Sequence, residues 1–409
     1  MKAIIIAVGD ELISGATLDT NSACLAAELA RRGIAAKAHW TIGDDEDAIA
    51  DAIARAASSA ELVIVSGGLG PTADDLTRQG LARAAGAELV LNEKCLARIE
   101  DFFRVRGRQM QPSNRIQAMI PAGAEPLENA TGTAPGMAVK VGGARVFVLP
   151  GVPNEMKTMF ETQVAPRLPQ LGHVILSRAI HTFGLGESEI SSKIADLMRR
   201  DANPLAGTTV AAGLVTVRIT SSAESDKDAQ GLAEAVAREI KKRLGRQVVG
   251  EGDATMASVV GGLLRNRKEH LATAESCTGG LVGQLITSVP GSSDYYLGGV
   301  VAYANQVKQD SLGVGKELIA ARGAVSEQVA AAMAEGCRER FRSDWALSVT
   351  GIAGPDGGTD EKPVGLVYIG LAGPSGTRVH KHIFPGDRET IRLRTALAAL
   401  NYLRLAMLG

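Results

Sequence analysis

The chain has 409 residues and a formal net charge of −1, and 45% of its residues are hydrophobic but only 3% aromatic. This length predicts two or three domains with buried cores. Neutral charge and scarce aromatic rings argue against a nucleic-acid partner, because such proteins usually carry a basic surface and rings that stack on bases. The apolar run after Met1 ends at Gly9, and no run reaches membrane-spanning length. We therefore expect no membrane partner.

The cysteines indicate the compartment. The four of them, at positions 24, 95, 277 and 337, form no Cys-x-x-Cys pair and no zinc spacing, and no histidine cluster completes a site. Neither a disulfide framework nor a structural metal is predicted, and a reducing cytoplasm fits best.

Residues 1–170 alternate short β-branched runs with alanine-rich helical segments. Strands are predicted at 2–8, 62–66 and 146–149, and helices at 19–32, 45–59 and 74–85. This βαβ order predicts a mostly parallel α/β sheet, which binds ligands beyond the carboxyl ends of its strands. Unusual loops lie at those ends, at residues 9–11, 43–44, 66–72 and 150–153.

The loop at 66–72 is glycine-rich and ends at Thr72. Gly67, Gly68 and Gly70 would let a phosphate approach the backbone closely, at the start of the helix predicted for residues 74–85. The loop is therefore a predicted substrate-binding segment.

Carboxylates surround this loop in the predicted fold. Asp74 and Asp75 open the next predicted helix, and Glu11 and Asp44 lie on the same edge of the sheet. Several carboxylates on one rim repel unless a divalent cation offsets them, and oxygen ligands suit Mg²⁺ or Mn²⁺. The alternative is that the acidic pair only favours a helix start.

A smaller α+β unit is predicted after a break near Gly172. Strands at 174–182 and 208–220 alternate with helices at 187–199 and 223–244. The unit is too short for a large cavity, so we interpret it as a connector.

The last region begins near residue 251, with helices predicted at 254–268 and 388–408. A strand at 271–274 leads into the sequence Glu-Ser-Cys-Thr-Gly-Gly at 275–280, and a helix start is predicted at 278–282. This places Ser276 at a strand-to-helix turn with free amides, and we predict that Thr278, Gly279 and Gly280 bind the substrate there.

A serine nucleophile needs a base, and a partly desolvated lysine can supply one without histidine. Lys308 is the candidate base. The alternatives are that Ser276 or Thr278 only caps the helix, or that Cys277 is the nucleophile, since a thiol at a helix start is activated.

These residues resemble the C-terminal domain of the CinA proteins, the nicotinamide mononucleotide deamidases, over residues 253–409. The resemblance implies that Ser276 is the nucleophile and Lys308 the base, that Tyr303 is an active-site residue, and that no cofactor is needed. It assigns oxyanion donors to the backbone of Thr350 and Gly351. The family's arginine falls on Arg388, with Arg392 one helical turn later as the alternative.

Residues 1–170 resemble the molybdopterin-binding-like domain of CinA proteins, through the 66–77 loop, residues 129–136, which include Thr133, and residues 149–156. The resemblance implies a metal-dependent ADP-ribose pyrophosphatase using Mg²⁺, Mn²⁺ or Co²⁺, with the family's paired aspartates at Asp44 and Asp75. We predict Asp74 and Glu11 as further metal ligands. We predict Thr133 as a further substrate-binding residue. Related domains handle pyranopterin.

The middle region, residues 171–250, resembles the KH-like unit of the same family. It lacks the Gly-x-x-Gly loop that clamps RNA, because residues 184–187 end in glutamate. The resemblance therefore implies an α/β multidomain hydrolase with domains at 1–170, 171–250 and 251–409, acting on nicotinamide mononucleotide and ADP-ribose as a homodimer. Two alternatives remain: a pterin-binding or nucleotidyl-transfer role for the N-terminal domain, or an accessory role in competence and DNA recombination.

Overall fold

The computed structural model describes residues 1–169, 172, 174–211 and 213–409. The predicted boundary between residues 170 and 171 falls on residues outside this description. The chain forms two compact units, one of Met1–Leu176 with Ser221–Gly231 and the other of Ser177–Thr220 with Leu232–Gly409.

Described residues 1–169, which belong to the first unit, form eight strands. They are β1 (Lys2–Val8), β2 (Ala35–Ile42), β3 (Leu62–Ser66), β4 (Leu89–Leu91), β5 (Met119–Pro121), β6 (Glu125–Leu127), β7 (Gly136–Val141) and β8 (Ala144–Leu149). Six form a sheet in the order β2-β1-β3-β8-β7-β6, and β4 pairs with β5. The pairs β2–β1, β1–β3 and β3–β8 are parallel, and the pairs β8–β7 and β7–β6 are antiparallel. This confirms the predicted mostly parallel sheet.

Six α-helices accompany this sheet: α1 (Asp10–Ile13), α2 (Thr20–Ala30), α3 (Glu46–Ser59), α4 (Thr77–Ala84), α5 (Glu93–Val105) and α6 (Pro153–Met159). The side chains of Asp19, Asp45 and Asn92 cap α2, α3 and α5 by accepting a first-turn amide. Both faces of the sheet are buried: Ile4 and Ile6 pack on one side of β1, and Ala3 and Ile5 on the other. This accounts for the continuous apolar strands.

The helix predicted over residues 74–85 is wrong at its start. Helix α4 begins at Thr77, because the Thr77 amide donates to the Gly68 carbonyl at 3.2 Å and the Asp75 carboxylate accepts from the Gly70 amide at 2.7 Å. These bonds keep residues 70–76 in a loop.

The middle of the chain forms a four-stranded sheet in the order β10-β11-β9-β12. Its elements are β9 (Val174–Phe183), α7 (Glu187–Lys193), β10 (Leu205–Ala211), β11 (Leu214–Ala223), α8 (Asp226–Leu244) and β12 (Val248–Glu251). The single strand predicted over 208–220 is instead an antiparallel hairpin, turning beside Gly213 at a φ of 85°. Residue 212 in this turn lies outside the described residues.

The second unit also contains a five-stranded sheet in the order β14-β13-β15-β16-β17. Its elements are α9 (Met256–Arg267), β13 (Leu271–Glu275), α10 (Leu281–Thr287), β14 (Tyr296–Val301), α11 (Asn305–Leu312), α12 (Lys316–Arg322), α13 (Glu327–Phe341), β15 (Trp345–Gly351), β16 (Leu366–Gly373), β17 (Gly376–Ile383) and α14 (Arg388–Leu408). The pairs β14–β13 and β13–β15 are parallel, and the pairs β15–β16 and β16–β17 are antiparallel. Leu347 and Val349 pack toward one face and Ala272 and Ala274 toward the other, so the central strands are buried on both sides.

Candidate functional site

The turn between β13 and α10 presents Ser276 at the carboxyl end of a central strand. The Ser276 amide donates to the Val349 carbonyl at 2.9 Å, which ties the turn to β15. Gly279 and Gly280 have φ values of 61° and 94°, a left-handed conformation that favours glycine. Helix α10 therefore begins at Leu281, three residues after the predicted start.

Lys308, on α11, is 1% exposed and reaches this turn. Its Nζ lies 3.1 Å from Ser276 Oγ, 2.6 Å from the Ala302 carbonyl oxygen and 3.1 Å from the Tyr303 carbonyl oxygen. Burial lowers the pKa of Lys308 below its ordinary value, because the ammonium form loses its hydration.

Three oxygen atoms surround Lys308 Nζ and can accept the three N–H groups of its ammonium form. A neutral amine has two N–H donors and one lone pair. The carbonyls of Ala302 and Tyr303 can accept both donors, which leaves the lone pair facing the Ser276 hydroxyl. The arrangement can therefore remove the proton of Ser276 as its oxygen attacks.

Cys277 has the opposite environment for a nucleophile. Its side chain is buried, and burial raises the pKa of its thiol to about 12. A thiol with this pKa stays protonated near neutral pH and is a weak nucleophile. The geometry favours Ser276 over Cys277.

Thr350 and Gly351 end β15 beside this turn, but their amides point in opposite directions. The Val349 carbonyl faces β13, since it accepts from Ser276. Alternation along a strand then directs the Gly351 amide toward the Ser276 side and the Thr350 amide toward β16. Gly351 is thus the better placed oxyanion donor, while the Thr350 hydroxyl donates to the Ala324 carbonyl at 2.8 Å.

Both predicted arginines lie at the start of α14 and reach the site from one side. Arg388 donates to the Tyr303 hydroxyl at 3.0 Å and to the Gly354 carbonyl at 2.6 Å. Arg392 donates to the Thr278 carbonyl at 3.2 and 2.7 Å. Arg388 therefore holds the exposed side chain of Tyr303, while Arg392 holds the turn that carries Ser276.

Sequence reasoning missed a carboxylate in this turn. Glu275 is 2% exposed and accepts from the amides of Val282 and Gly283 at 3.0 and 2.8 Å. The available signal was an acidic residue directly after an apolar strand run.

In the first unit, the glycine loop after β3 is held from two sides. The carboxylate of Asp75 accepts from the amides of Gly70 and Thr72 at 2.7 and 2.9 Å, and also from the Thr72 hydroxyl. Arg78, which the sequence did not single out, is buried and donates to the carbonyls of Leu69 and Gly70 at 2.8 and 2.6 Å. Burial lowers the pKa of Arg78 to about 10.

Asp44 contacts Asp10 near the ends of β1 and β2, and the charges of Glu11 and Asp74 also act on it. The Asp10 amide donates to Asp44 at 2.9 Å, and the Asp44 amide donates to Asp10 at 3.0 Å. Burial is the largest effect on Asp44 and raises its pKa, and the charges of Asp10, Glu11 and Asp74 raise it further. Within the described residues, no three acidic, histidine or cysteine side chains are gathered as a ready metal site.

The predicted substrate residue Thr133 lies in a loop that is held by hydrogen bonds of the Asn129 side chain. Asn129 accepts from the Gly132 amide at 2.8 Å and donates to Glu155 at 2.7 Å. Thr133 lines a cavity of about 600 Å³ beside α5, whereas Gly67 lines a separate one of about 120 Å³ with Glu11. The structure therefore does not bring Thr133 into one cavity with the glycine loop.

In the parts of the chain that the structure covers, no helix combines the length and apolar character needed to cross a bilayer.

Three family models match consecutive parts of the chain. The CinA C-terminal domain matches residues 253–407, the "Probable molybdopterin binding domain" matches 4–170, and the damage-inducible protein CinA KH domain matches 177–250. These regions correspond to the C-terminal, N-terminal and middle parts of an α/β multidomain chain.

Full-length relatives give the same result. A CinA-like protein of Geobacter sulfurreducens is 44% identical, with 100% of both chains covered, and one of Synechocystis is 46% identical, with 99% of both covered. A solved structure, described as the protein CinA with unknown function from Thermoplasma acidophilum, is 37% identical, covers 41% of this chain and 98% of its own, and has a TM-score of 0.39. On the strength of its full-length relatives, the chain belongs to the CinA family.

Proposed function

We propose that the second unit hydrolyses the amide of nicotinamide mononucleotide, giving nicotinic acid mononucleotide and ammonia. The observation that carries this proposal is the 3.1 Å separation of Lys308 Nζ from Ser276 Oγ, with two carbonyls on the same nitrogen. A hydroxyl beside a desolvated amine is a device for acyl transfer. The identity of the acyl group comes from the family resemblance.

The reaction would proceed in two halves. Ser276 Oγ attacks the carboxamide carbon as its proton passes to Lys308, and the oxyanion is stabilised by backbone donors such as the Gly351 amide. Lys308 then returns the proton to the amide nitrogen, the C–N bond breaks, and ammonia leaves an ester on Ser276. Water attacks this ester with Lys308 again as base, which releases the carboxylate and restores the serine.

The arginines of α14 suit a substrate with a phosphate. Arg388 and Arg392 place two permanent cations beside the turn, and both guanidinium groups now rest on neutral oxygen atoms. A phosphate would be a stronger partner than these oxygens, since charge-assisted bonds are about twice as strong.

Ammonia release from nicotinamide mononucleotide by the purified full chain tests this function. We expect steady release by the wild-type protein and none by Ser276→Ala. Turnover of free nicotinamide at an equal rate would show that the phosphate is not recognised. Absence of ammonia release from the folded wild-type chain would overturn the proposal and favour the accessory role in competence.

We propose for the first unit a metal-dependent hydrolysis of ADP-ribose to AMP and ribose 5-phosphate. The acidic charge around Asp44 supports this proposal, because carboxylate oxygens suit a hard divalent ion and the charges of Asp10, Glu11 and Asp74 all raise the pKa of Asp44. Within the described residues these carboxylates do not form a ready three-ligand site, so a metal would have to draw them together. When bound, the metal would neutralise charge on the pyrophosphate. The loop held by Asp75 and Arg78 would keep its glycine backbone ready for the phosphates.

AMP formation from ADP-ribose by the full chain, with Mg²⁺, Mn²⁺ or Co²⁺ and with chelator, tests this second activity. We expect AMP only with metal. Tight binding of a pterin without AMP formation would overturn the pyrophosphatase role and favour the pterin-binding alternative. For the homodimer that we also propose, sedimentation of the full chain gives the mass directly.

A further inference from the structure

The carboxylate of Glu275 lies directly before the proposed nucleophile and is almost fully buried. One of its oxygens accepts from the Val282 amide at 3.0 Å, and the other from the Gly283 amide at 2.8 Å. Glu275 therefore spans the Ser276 turn from the end of β13 to the first turn of α10.

Helix α10 depends on this contact for its start. Its N-cap residue, Gly280, has no side chain that could accept a hydrogen bond. The first amides of a helix have no partner within the helix and need one from outside. Both oxygens of one buried carboxylate meet this need, and their negative charge suits the helix N-terminus.

The main chain of Glu275 reaches the base as well. Its carbonyl accepts from the Ala302 amide at 2.7 Å, and the Ala302 carbonyl in turn accepts from Lys308 Nζ at 2.6 Å. One residue is thus linked to the nucleophile turn through its side chain and to the base through its backbone.

We propose that Glu275 is a positioning residue that sets the distance between Ser276 Oγ and Lys308 Nζ. Only the kinetic test of this inference rests on the amidohydrolase proposal. Glu275 is 2% exposed and both of its carboxylate oxygens accept from backbone amides, so we assign it a positioning role and no contact with the substrate. A carboxylate that only stabilised the fold would affect melting and leave the turnover of folded molecules unchanged.

The test compares Glu275→Gln with a control at Asp344, a residue that precedes β15 and contacts the start of β13. Glutamine keeps the shape but turns an N–H₂ group toward one of the two amides, which leaves a buried donor without an acceptor. The control is Asp344→Asn, because Asp344 accepts from the His270 amide at 2.7 Å, just before β13. Both variants replace a carboxylate that accepts from a backbone amide with its neutral amide, but only Glu275 uses both of its oxygens and must lose one of the bonds.

We expect kcat for ammonia release to fall about 10²-fold in Glu275→Gln, because small misplacement of a reacting group costs this much. KM should change less than about twofold, and Asp344→Asn should keep kcat within about twofold of wild type. A second readout is the rate at which a fluorophosphonate labels Ser276, followed by intact mass. In this reaction the serine oxygen bonds to phosphorus, fluoride leaves and the serine proton is lost, and we expect the same fall in rate.

The outcomes separate the two proposals. Glu275→Gln that labels and turns over like wild type would overturn the positioning role. Wild-type protein that is labelled at Ser276 but releases no ammonia would refute the deamidase, while the labelling rates would still decide the role of Glu275. If Glu275→Gln does not fold, Glu275→Asp keeps the charge with a shorter reach, and a lower kcat at unchanged KM supports positioning, whereas wild-type kcat overturns it.

Discussion

The two proposed sites are built on the same local device. In the first unit, β3 ends at a turn in which Gly67 and Gly68 have φ values of 112° and 65°. In the second unit, β13 ends at a turn in which Gly279 and Gly280 have φ values of 61° and 94°. Each turn follows a fully buried parallel strand and leads to a helix.

What differs is the side chains that surround each turn. The turn after β13 carries a serine and faces a buried lysine, so it suits attack on an acyl carbon. The two glycines after β3 have no side chain that could act as a nucleophile. The residues near the ends of β1 and β2 include Asp10 and Asp44, whose carboxylates suit a metal ion that could bind phosphates. Strand–glycine–helix geometry therefore presents a backbone to a ligand, and the neighbouring strands determine the chemistry.

The largest expected effect concerns the nucleophile of the second turn. Ser276→Ala should lower deamidase kcat by at least about 10⁴-fold, because loss of a nucleophile removes the covalent route. Cys277→Ala should keep most of the activity, since its thiol is protonated. Steady-state ammonia release measures both, and the reverse order would make the enzyme a thiol amidase.

The next effect concerns the base. Lys308→Arg keeps the charge but cannot give up its proton near neutral pH, so it should be nearly as inactive as Lys308→Ala. In the wild type, kcat/KM should rise with pH as Lys308 loses its proton, with a midpoint below the ordinary 10.5 because burial lowers the pKa. An active Lys308→Arg enzyme would remove Lys308 from this role.

A smaller effect should separate two aspartates of the first unit. Asp44→Asn removes a proposed metal ligand, so ADP-ribose hydrolysis should fall and partly recover at high metal concentration. Asp75→Asn disturbs the loop that its carboxylate holds and should lower the rate about 10- to 100-fold without recovery. Recovery of Asp75→Asn by metal would instead support the sequence-based assignment of Asp75 as a ligand, and deamidase activity should be unchanged in both variants.

The smallest effect concerns acid stability, which should distinguish the two units. In the second unit His380 stacks on Tyr402 with ring centroids 3.5 Å apart, and burial lowers the pKa of both His380 and His382. Each imidazole has a lower pKa in the folded protein than the value of 6.5 in the unfolded chain, so the unfolded chain takes up the proton first. The contribution to stability is therefore complete above pH 6.5 and is lost as the pH falls from 6.5 toward the folded-state pKa.

Urea unfolding between pH 7 and pH 5 should therefore weaken the second unit more than the first. The variant His380→Phe keeps a stacked ring without a titratable group and should reduce this pH dependence. Equal acid sensitivity of wild type and variant would contradict the assignment.

The sequence predicted the fold well where patterning was local. Strand β1 and helix α14 match their predicted residues, because a buried β-branched run and a capped segment rich in leucine and alanine carry their own signals. The starts of α4 and α10 could not be predicted, since they depend on bonds to Gly68 and on left-handed glycines, which no propensity encodes.

The same limit applies to the sites. Ser276 and Lys308 were found from motif and chemistry, but the clamping roles of Glu275, Arg78 and Arg392 arise from contacts between residues distant in sequence. Asp75 stays a predicted metal ligand, and the structure adds a role that the sequence did not indicate, because its carboxylate holds the loop backbone.

The central claim is that Ser276 forms the ester intermediate with Lys308 as its base. Its most direct test is peptide mapping of the Cys277→Ala enzyme after rapid acid quench during turnover of nicotinamide mononucleotide. We predict a nucleotide acyl group on Ser276, attached with loss of ammonia. An acyl group on Lys308, or full turnover without a labelled residue, would contradict it.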